Sequence, residues 1–380
     1  MSSSPMDSAR HLEVVGAGPA GLSAAITARA AGTPVTVYEK RPQVGARFHG
    51  DFQGLENWTT EEDVLLELEQ MGLALGPAVT PVREIVCFDA RGKARSLRSS
   101  RGPVFYLVRR GPADGTLDTC LLRQAIKAGA ALRYATRQNH LEAGGIVAEG
   151  PHAADIIAAG YTFQTGMADG YFGALSDDLA PDGYAYLLVH RGQGTVATCL
   201  SREFHDERRF VERTVEFFER HAGLRWQEPR PFGGSGNVSL EAALHRDSVY
   251  YAGESAGLQD ALFGFGLRHA MLSGCFAARA WLSGSPEMYE RWWRSRVRNL
   301  VRAGFANRRL YRTLGARGRQ FLLRHWVAGA DPRRLLERIY QPNAIKSLLG
   351  SIAPQRRLGQ AEARLGCDCT WCRCQSESCP

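Results

Sequence analysis

The first change of hydrophobic pattern comes at His11–Val15, a short β-prone apolar run. It leads straight into Gly16-Ala17-Gly18-Pro19-Ala20-Gly21 and then into an alanine-rich stretch ending near Ala31. Strand, tight turn and helix are the elements this pattern predicts. After Gly32-Thr33-Pro34 a second strand, Val35–Tyr38, is closed by Glu39. Together these pieces form a βαβ unit of about 30 residues, the context in which a glycine fingerprint carries meaning.

Further along, Val64, Leu65, Leu68 and Met71 fall at helical spacing. Ile85–Phe88, Ala94–Leu97 and Val104–Val108 read as short strands between Gly-rich and charged turns. Leu117–Ala128 reads as a helix and Ala131–Tyr134 as a strand. Strand pattern then dominates from Tyr161 to Leu200, followed by a helix from about Glu207 to Ala222. A Rossmann-like signal returns at Ser248–Glu254, ahead of a long helix from about Gly266 to Leu282.

The pattern therefore predicts an α/β fold in which a discontinuous Rossmann-like nucleotide domain (1–80, 115–160 and 240–285) receives a β-rich insertion (81–114 and 161–239) as its substrate domain. A basic helical region (286–355) and a Cys-rich tail (356–380) follow.

Composition narrows the class. Hydrophobic residues make up 44% of the 380 and charged residues 23%, which excludes a wholly disordered, collagen-like or coiled-coil chain. No apolar run reaches the roughly 20 residues that span a bilayer. The first ten residues lack the apolar core of a signal peptide, and a cytoplasmic protein is expected. The net charge of +8 is unevenly placed: residues 291–357 carry 17 Lys and Arg against Asp331 and Glu337. Cysteine is equally uneven. Cys87, Cys120, Cys199 and Cys275 are scattered, whereas five of the nine crowd the last 14 residues.

In the fingerprint, Gly16 permits the turn, Gly18 lets backbone approach a pyrophosphate, and Gly21 lets helix pack on strand. Pro19 and Ala20 complete the first helical turn, whose free amides and dipole favour phosphate. Glu39, with Lys40 beside it, is placed for ribose hydroxyls, so FAD or NAD is expected rather than NADP.

A second signature decides between them. A strand ending Ala252-Gly253-Glu254-Ser255-Ala256-Gly257, then Leu262-Phe263-Gly264-Phe265-Gly266-Leu267 and a helix, resembles the flavin-contacting segment of the p-hydroxybenzoate hydroxylase superfamily. Within it, the chain is most similar to the FAD-dependent geranylgeranyl reductase family over about residues 11–285. The resemblance implies FAD, with Gly253 and Glu254 at the ribityl chain and Gly264, Phe265, Gly266 and Leu267 against the isoalloxazine. Backbone amides at that helix start would stabilise negative charge on the reduced ring.

The chain departs from the family at several points. Glu254 stands for an Asp, and Glu149-Gly150 for an Asp-Gly. Gly115 replaces an arginine for which Arg109 or Arg110 would substitute. Arg47-Phe48-His49-Gly50 occupies a loop that often carries cysteine, and it places Arg47 near the cofactor.

On the substrate side, Tyr184-Ala185-Tyr186-Leu187-Leu188-Val189 is similar to the family strand that lines the cavity. Alternation puts Tyr184, Tyr186 and Leu188 on one face, either a wall for a long apolar substrate or an ordinary sheet core. His49 and Tyr186 are the proton-donor candidates, since reduced flavin delivers hydride and the protein must place the proton. The resemblance implies saturation of double bonds in an isoprenoid or similar lipid. With one dinucleotide fingerprint, the reductant is a transient NAD(P)H or a protein donor. The alternatives are a flavin monooxygenase of an aromatic or polyketide substrate, and a non-enzymatic peripheral membrane or metal-handling protein with a degenerate nucleotide fold.

In the basic region, arginines alternate with large apolar residues such as Trp292, Trp293, Leu300 and Phe305. Such a surface suits an anionic membrane, with peripheral association, or an acidic electron donor such as a ferredoxin. It equally suits a helical subdomain closing the active site. No nucleic-acid motif accompanies the charge. In the tail, Cys367, Cys369, Cys372 and Cys374 are spaced for Zn²⁺ or another soft metal, with thiol–disulfide chemistry or a dispensable tail as the other readings.

Overall fold

The computed structural model describes residues 10–151, 153–325, 329–351 and 367–375. It begins with β1 (Leu12–Val15), α1 (Pro19–Ala30) and β2 (Val35–Tyr38). Then come β3 (Phe52–Glu56), α2 (Val64–Gln70), β4 (Val79–Val82), β5 (Glu84–Phe88), β6 (Ala94–Arg98) and β7 (Phe105–Arg109). The next stretch holds α3 (Leu117–Lys127), β8 (Ala131–Arg133), β9 (Gly145–Val147), β10 (Ile156–Gln164), β11 (Gly170–Ala174), β12 (Tyr184–His190) and β13 (Gln193–Leu200). After them run α4 (Glu207–Ala222), β14 (Gln227–Gly236), β15 (His245–Arg246) and β16 (Val249–Tyr251). The remainder is helical: α5 (Leu267–Ser283), α6 (Glu287–Trp292), α7 (Arg298–His325), α8 (Pro332–Tyr340), α9 (Ala344–Ser351) and α10 (Thr370–Gln375).

Three sheets form. The nucleotide sheet has the order β15-β16-β9-β1-β2-β8, parallel except for the β15 edge. Residues returning near 250 thus join a sheet begun at residue 12, and the Rossmann layer is discontinuous. α1 and α5 pack side by side against it. Their contact is so close that a Cβ on Gly274 would lie 2.0 Å from the Ala20 carbonyl oxygen. An alanine-rich α1, buried from Ala20 to Ala28, suits that sandwich because small side chains let three layers approach.

The second sheet has the order β14-β10-β13-β12-β11-β5-β6. The chain crosses into it at Ile156, a few residues before the expected change at 160. β12 alternates as its pattern requires. Ala185, Leu187 and Val189 pack under α4 with Phe88, Val215 and Phe218, while Tyr186 and Leu188 face Phe52, Val82, Phe105 and Leu107. β14 contains Pro229 and Pro231. It lies at a sheet edge, where a missing N–H costs no ladder bond.

A third, antiparallel sheet, β3-β7-β4, bridges the other two. β3, inside the segment expected to be nucleotide domain, is tied to the second sheet by the Phe52 amide donating to Thr195 Oγ1 at 2.9 Å.

The C-terminal helices fold over the second sheet, and α7 is kinked at Gly315, whose φ is 56°. Several of the basic residues turn inward. Arg319 pairs with Asp177 and Asp182, and Arg312 with Asp182. Arg308 Nη1 donates to the Leu262 carbonyl at 2.9 Å. No helix of the described residues is long and apolar enough to cross a membrane.

Candidate active site

The βαβ unit builds the cradle first. Gly16 has a φ of 99°, and a Cβ there would sit 2.3 Å from the Ala148 carbonyl oxygen. At Gly21 the Cβ would sit 1.9 Å from the Gly16 oxygen. Gly18, by contrast, has nothing within 4 Å of its would-be Cβ, so its space is open to a ligand. Gly18 caps α1 without a side-chain acceptor, leaving the amides of Ala20 and Gly21 to an anion, since Pro19 carries no N–H. Glu39 accepts from the Ala17 and Arg41 amides, both at 2.9 Å. It lines a small cleft with Gly16, Tyr38, Lys40, Arg137 and Glu149. An open glycine at a bare helix start beside an acid-lined cleft fits a dinucleotide.

Arg47, Gly150, Gly253 and Glu254 converge beside the cradle. Gly253 has a φ of 63°, which glycine adopts without strain. Arg47 Nη1 lies 3.2 Å from Glu254 Oε2, and its other terminal nitrogen donates to the Ser235 carbonyl. A Cβ on Gly150 would come 3.4 Å from Arg47 and 3.9 Å from Glu254. The longer acid at 254 is therefore met by a guanidinium, and the second glycine of the middle motif leaves room for the pair.

Arg110 is engaged elsewhere. It is buried, holds both Asp118 oxygens at 2.9 Å, and lies 3.8 Å from the Phe48 ring centre. Such a bidentate, stacked guanidinium anchors the 45–50 loop to the start of α3.

The loop before α5 is closed by its own bonds. Gly264 N donates to Asp260 O at 3.1 Å, Asp260 N to Phe265 O at 2.8 Å, and Gln259 Nε2 to Gly264 O at 2.8 Å. The Asp260 carboxylate accepts from the Leu262 and Phe263 amides and from Tyr340 Oη at 2.8 Å. Phe265 meets the Trp58 ring edge-on at 4.8 Å. Gly266 then opens α5 with no side-chain cap, so the amides around Leu267 point free.

Under this loop lies a second, small pocket, lined by Glu56, Thr59, Asp260, Phe265, His269, Leu300, Val301 and Tyr340. Burial pushes the Glu56 carboxyl up to about 7 and the His269 imidazole down to about 3. Both groups favour their neutral forms there, and Glu56 Oε2 and His269 Nδ1 have no hydrogen-bond partner among the described residues. Asp260, Tyr340, Glu56 and His269 escaped the sequence reading. An acid in Gln-Asp-Ala beside a glycine loop was the one available signal.

The substrate-side strand reaches the same loop. Tyr184 Oη donates to the Phe263 carbonyl at 3.1 Å, and the Tyr184 and Tyr186 rings lie 6.1 Å apart. Tyr184, Tyr186 and Leu188 thus share a face that runs from the loop into the aromatic cluster with Phe105. Burial holds the Tyr186 phenol well above 10. His49 is exposed in the 45–50 loop, its amide donating to Asp51 Oδ1 at 3.1 Å.

The tail requires one correction. Cys374, expected among four cysteine ligands, is disulfide-bonded. The structure gathers His205 with Cys367, Cys369 and Cys372 instead, their ligand atoms all within 4.8 Å of one another. His205 lies 162 positions before Cys367, and no local spacing connects them.

Known proteins share this fold. The family described as an NAD(P)-binding Rossmann-like domain matches residues 14–53. A geranylgeranyl bacteriochlorophyll reductase-like protein from Thermoplasma acidophilum superposes with a TM-score of 0.68 at 19% identity, over 91% of this chain and 96% of that one. A flavin-dependent brominase superposes with a TM-score of 0.61 at 12% identity, over 90% and 94%. A p-nitrophenol 4-monooxygenase from Pseudomonas putida gives 0.59 at 14% identity, over 87% and 97%. No curated protein matches the chain. The architecture, a Rossmann-like domain with additional β-rich sheets and a helical C-terminal region, is the fold these structures share.

Proposed function

We propose that the chain is an FAD-dependent oxidoreductase that reduces carbon–carbon double bonds of an isoprenoid or other lipid-like substrate. The observation that carries this reading is the aromatic face of Tyr184, Tyr186 and Leu188, hydrogen-bonded at Tyr184 to the Phe263 carbonyl of the glycine loop. An extended apolar acceptor would meet that face at its Tyr184 end, by the loop, since Leu188 is buried against Phe52, Val82 and Leu107.

The chemistry FAD supplies when bound is two-electron transfer, as hydride, to an acceptor carbon. The protein's own residues do the rest. Gly16, Gly18 and the first turn of α1 hold the pyrophosphate, and Glu39 the ribose. Arg47 and Glu254 fasten the middle of the cofactor, and the amides at Gly266 and Leu267 balance negative charge at the ring edge. Tyr186 or His49 delivers the proton. NAD(P)H or an acidic protein donor is the reductant.

A monooxygenase of an aromatic or polyketide substrate is the second reading, favoured by the fold shared with p-nitrophenol 4-monooxygenase over 87% of the chain. The test begins with the visible spectrum of the purified full-length protein and the mass of any released cofactor. The reduced protein is then given polyprenyl substrates without oxygen. Saturated product supports the reductase. Substrate-stimulated oxygen uptake with NADPH, and no saturated product, supports the monooxygenase. A colourless protein that takes up no FAD refutes both and leaves the non-enzymatic reading.

A further inference from the structure

We propose that His205 Nδ1 and the thiolates of Cys367, Cys369 and Cys372 hold one Zn²⁺ ion in a closed tetrahedral site that clasps the chain's end to the second sheet.

Distances carry the argument. His205 Nδ1 lies 3.8 Å from Cys367 Sγ, 3.6 Å from Cys369 Sγ and 3.6 Å from Cys372 Sγ. A tetrahedral ion with zinc–sulfur bonds of about 2.3 Å and a zinc–nitrogen bond of about 2.0 Å separates nitrogen from sulfur by about 3.6 Å. The three nitrogen–sulfur separations match that geometry, and all four donor atoms lie within 4.8 Å of one another. Three sulfurs and an imidazole form a borderline-soft set suited to Zn²⁺. All four positions come from the protein, which describes a structural rather than a catalytic centre.

The surroundings are built for it. Cys369 and Cys372 are 6% exposed, and the Cys372 amide points at Cys369 Sγ at 3.4 Å, a bond that stabilises a thiolate ligand. Trp371 stacks on Phe204 with a ring separation of 5.9 Å, and its Nε1 donates to the Ala154 carbonyl at 2.9 Å. Glu207 Oε1 accepts from the Thr370 amide and hydroxyl. Thr370 seats on Gly233, where a Cβ would lie 2.3 Å from Thr370 Oγ1.

The docked segment therefore covers the edge strand β14. Two residues beyond Gly233 on that strand is Ser235, whose carbonyl accepts from Arg47. The clasp thus braces the strand that holds the Arg47–Glu254 pair.

Metal analysis of the purified full-length protein, with zinc K-edge absorption for the ligand shell, tests the proposal. One zinc per chain is expected, with three sulfurs at about 2.3 Å and one nitrogen at about 2.0 Å. Cys372→Ser and His205→Ala should lose zinc to a chelator that leaves the parent loaded. Cys374→Ser should keep it, and so should His205→Cys, which restores a four-donor set without the imidazole. A parent protein without zinc whose thiols are free or oxidised overturns the proposal. So does a four-sulfur shell, or loss of zinc in Cys374→Ser alongside retention in His205→Ala.

Discussion

Glu56 is buried beneath the glycine loop, with Arg268 as a compensating charge and Asp260 and Glu67 opposing. Burial raises its pKa from 4.5 to about 7, and the consequence for stability has a definite sign. Below pH 4.5 the carboxyl is protonated in the folded and unfolded chain alike and contributes no pH dependence. Between 4.5 and 7 the unfolded chain releases the proton first, so stability falls as pH rises. Above 7 the loss is complete. A difference of about 2.5 pH units at roughly 1.4 kcal/mol each amounts to roughly 3 to 4 kcal/mol.

Glu56→Gln removes the titration while keeping volume and an acceptor. Its melting temperature should match or trail the parent's at pH 5 and exceed it at pH 8, with the gap opening between those values. Differential scanning calorimetry of flavin-loaded parent and variant across that range is the assay. Parallel melting curves, or a gap that opens toward acid, would refute the assignment of Glu56 as a neutral buried acid.

Other substitutions separate the roles of neighbouring residues. Gly18→Ala, whose Cβ meets open space, should cost less than about 1 kcal/mol of stability yet weaken FAD binding by about tenfold or more, about 1.4 kcal/mol, as read by flavin fluorescence. Gly21→Ala, with its Cβ 1.9 Å from the Gly16 oxygen, should fail to give folded protein, which circular dichroism would show. Tyr340→Phe leaves Asp260 short of one donor in a buried site and should cost about 1–3 kcal/mol, with faster flavin release in stopped-flow dilution. Tyr184→Ala and Tyr186→Ala should raise KM for an apolar substrate while leaving the flavin spectrum in place. Should Tyr186→Phe retain full kcat, the proton role passes to His49.

What the sequence made legible is what depends on neighbours within one short unit. Gly16, Gly18, Gly21 and Glu39 interact across one βαβ step, and each demands a backbone conformation or close approach that only its own residue type allows. β12 was legible for the same reason, since a period of two states which face each side chain takes. β14 was not: Pro229, Pro231 and the glycines at 233, 234 and 236 carry no strand pattern, and an edge position makes them tolerable. Compensation over long separations was equally hidden. The Glu254 departure looked like a defect until Arg47, 207 residues away, was found beside it. Asp260 acquires its third donor from Tyr340 in a helix that the sequence offered only as basic.

The excess of arginine after residue 290 belongs to the same class of hidden compensation. Read along the chain it is a block of one sign, the pattern of a surface seeking an acidic partner. In space, Asp177 and Asp182 on the β11–β12 connection and the carbonyls of Ala261 and Leu262 already engage Arg308, Arg312 and Arg319. Arg333 is taken up likewise by the Arg101 and Glu61 carbonyls. The rest of the chain carries a net negative charge, so part of the asymmetry is the two halves of one folded interface written far apart. Arg308, which holds the 260–263 loop by the Ala261 and Leu262 carbonyls, shows how a helical layer so rich in charge packs against that loop: its guanidinium satisfies backbone acceptors that a tight turn leaves over.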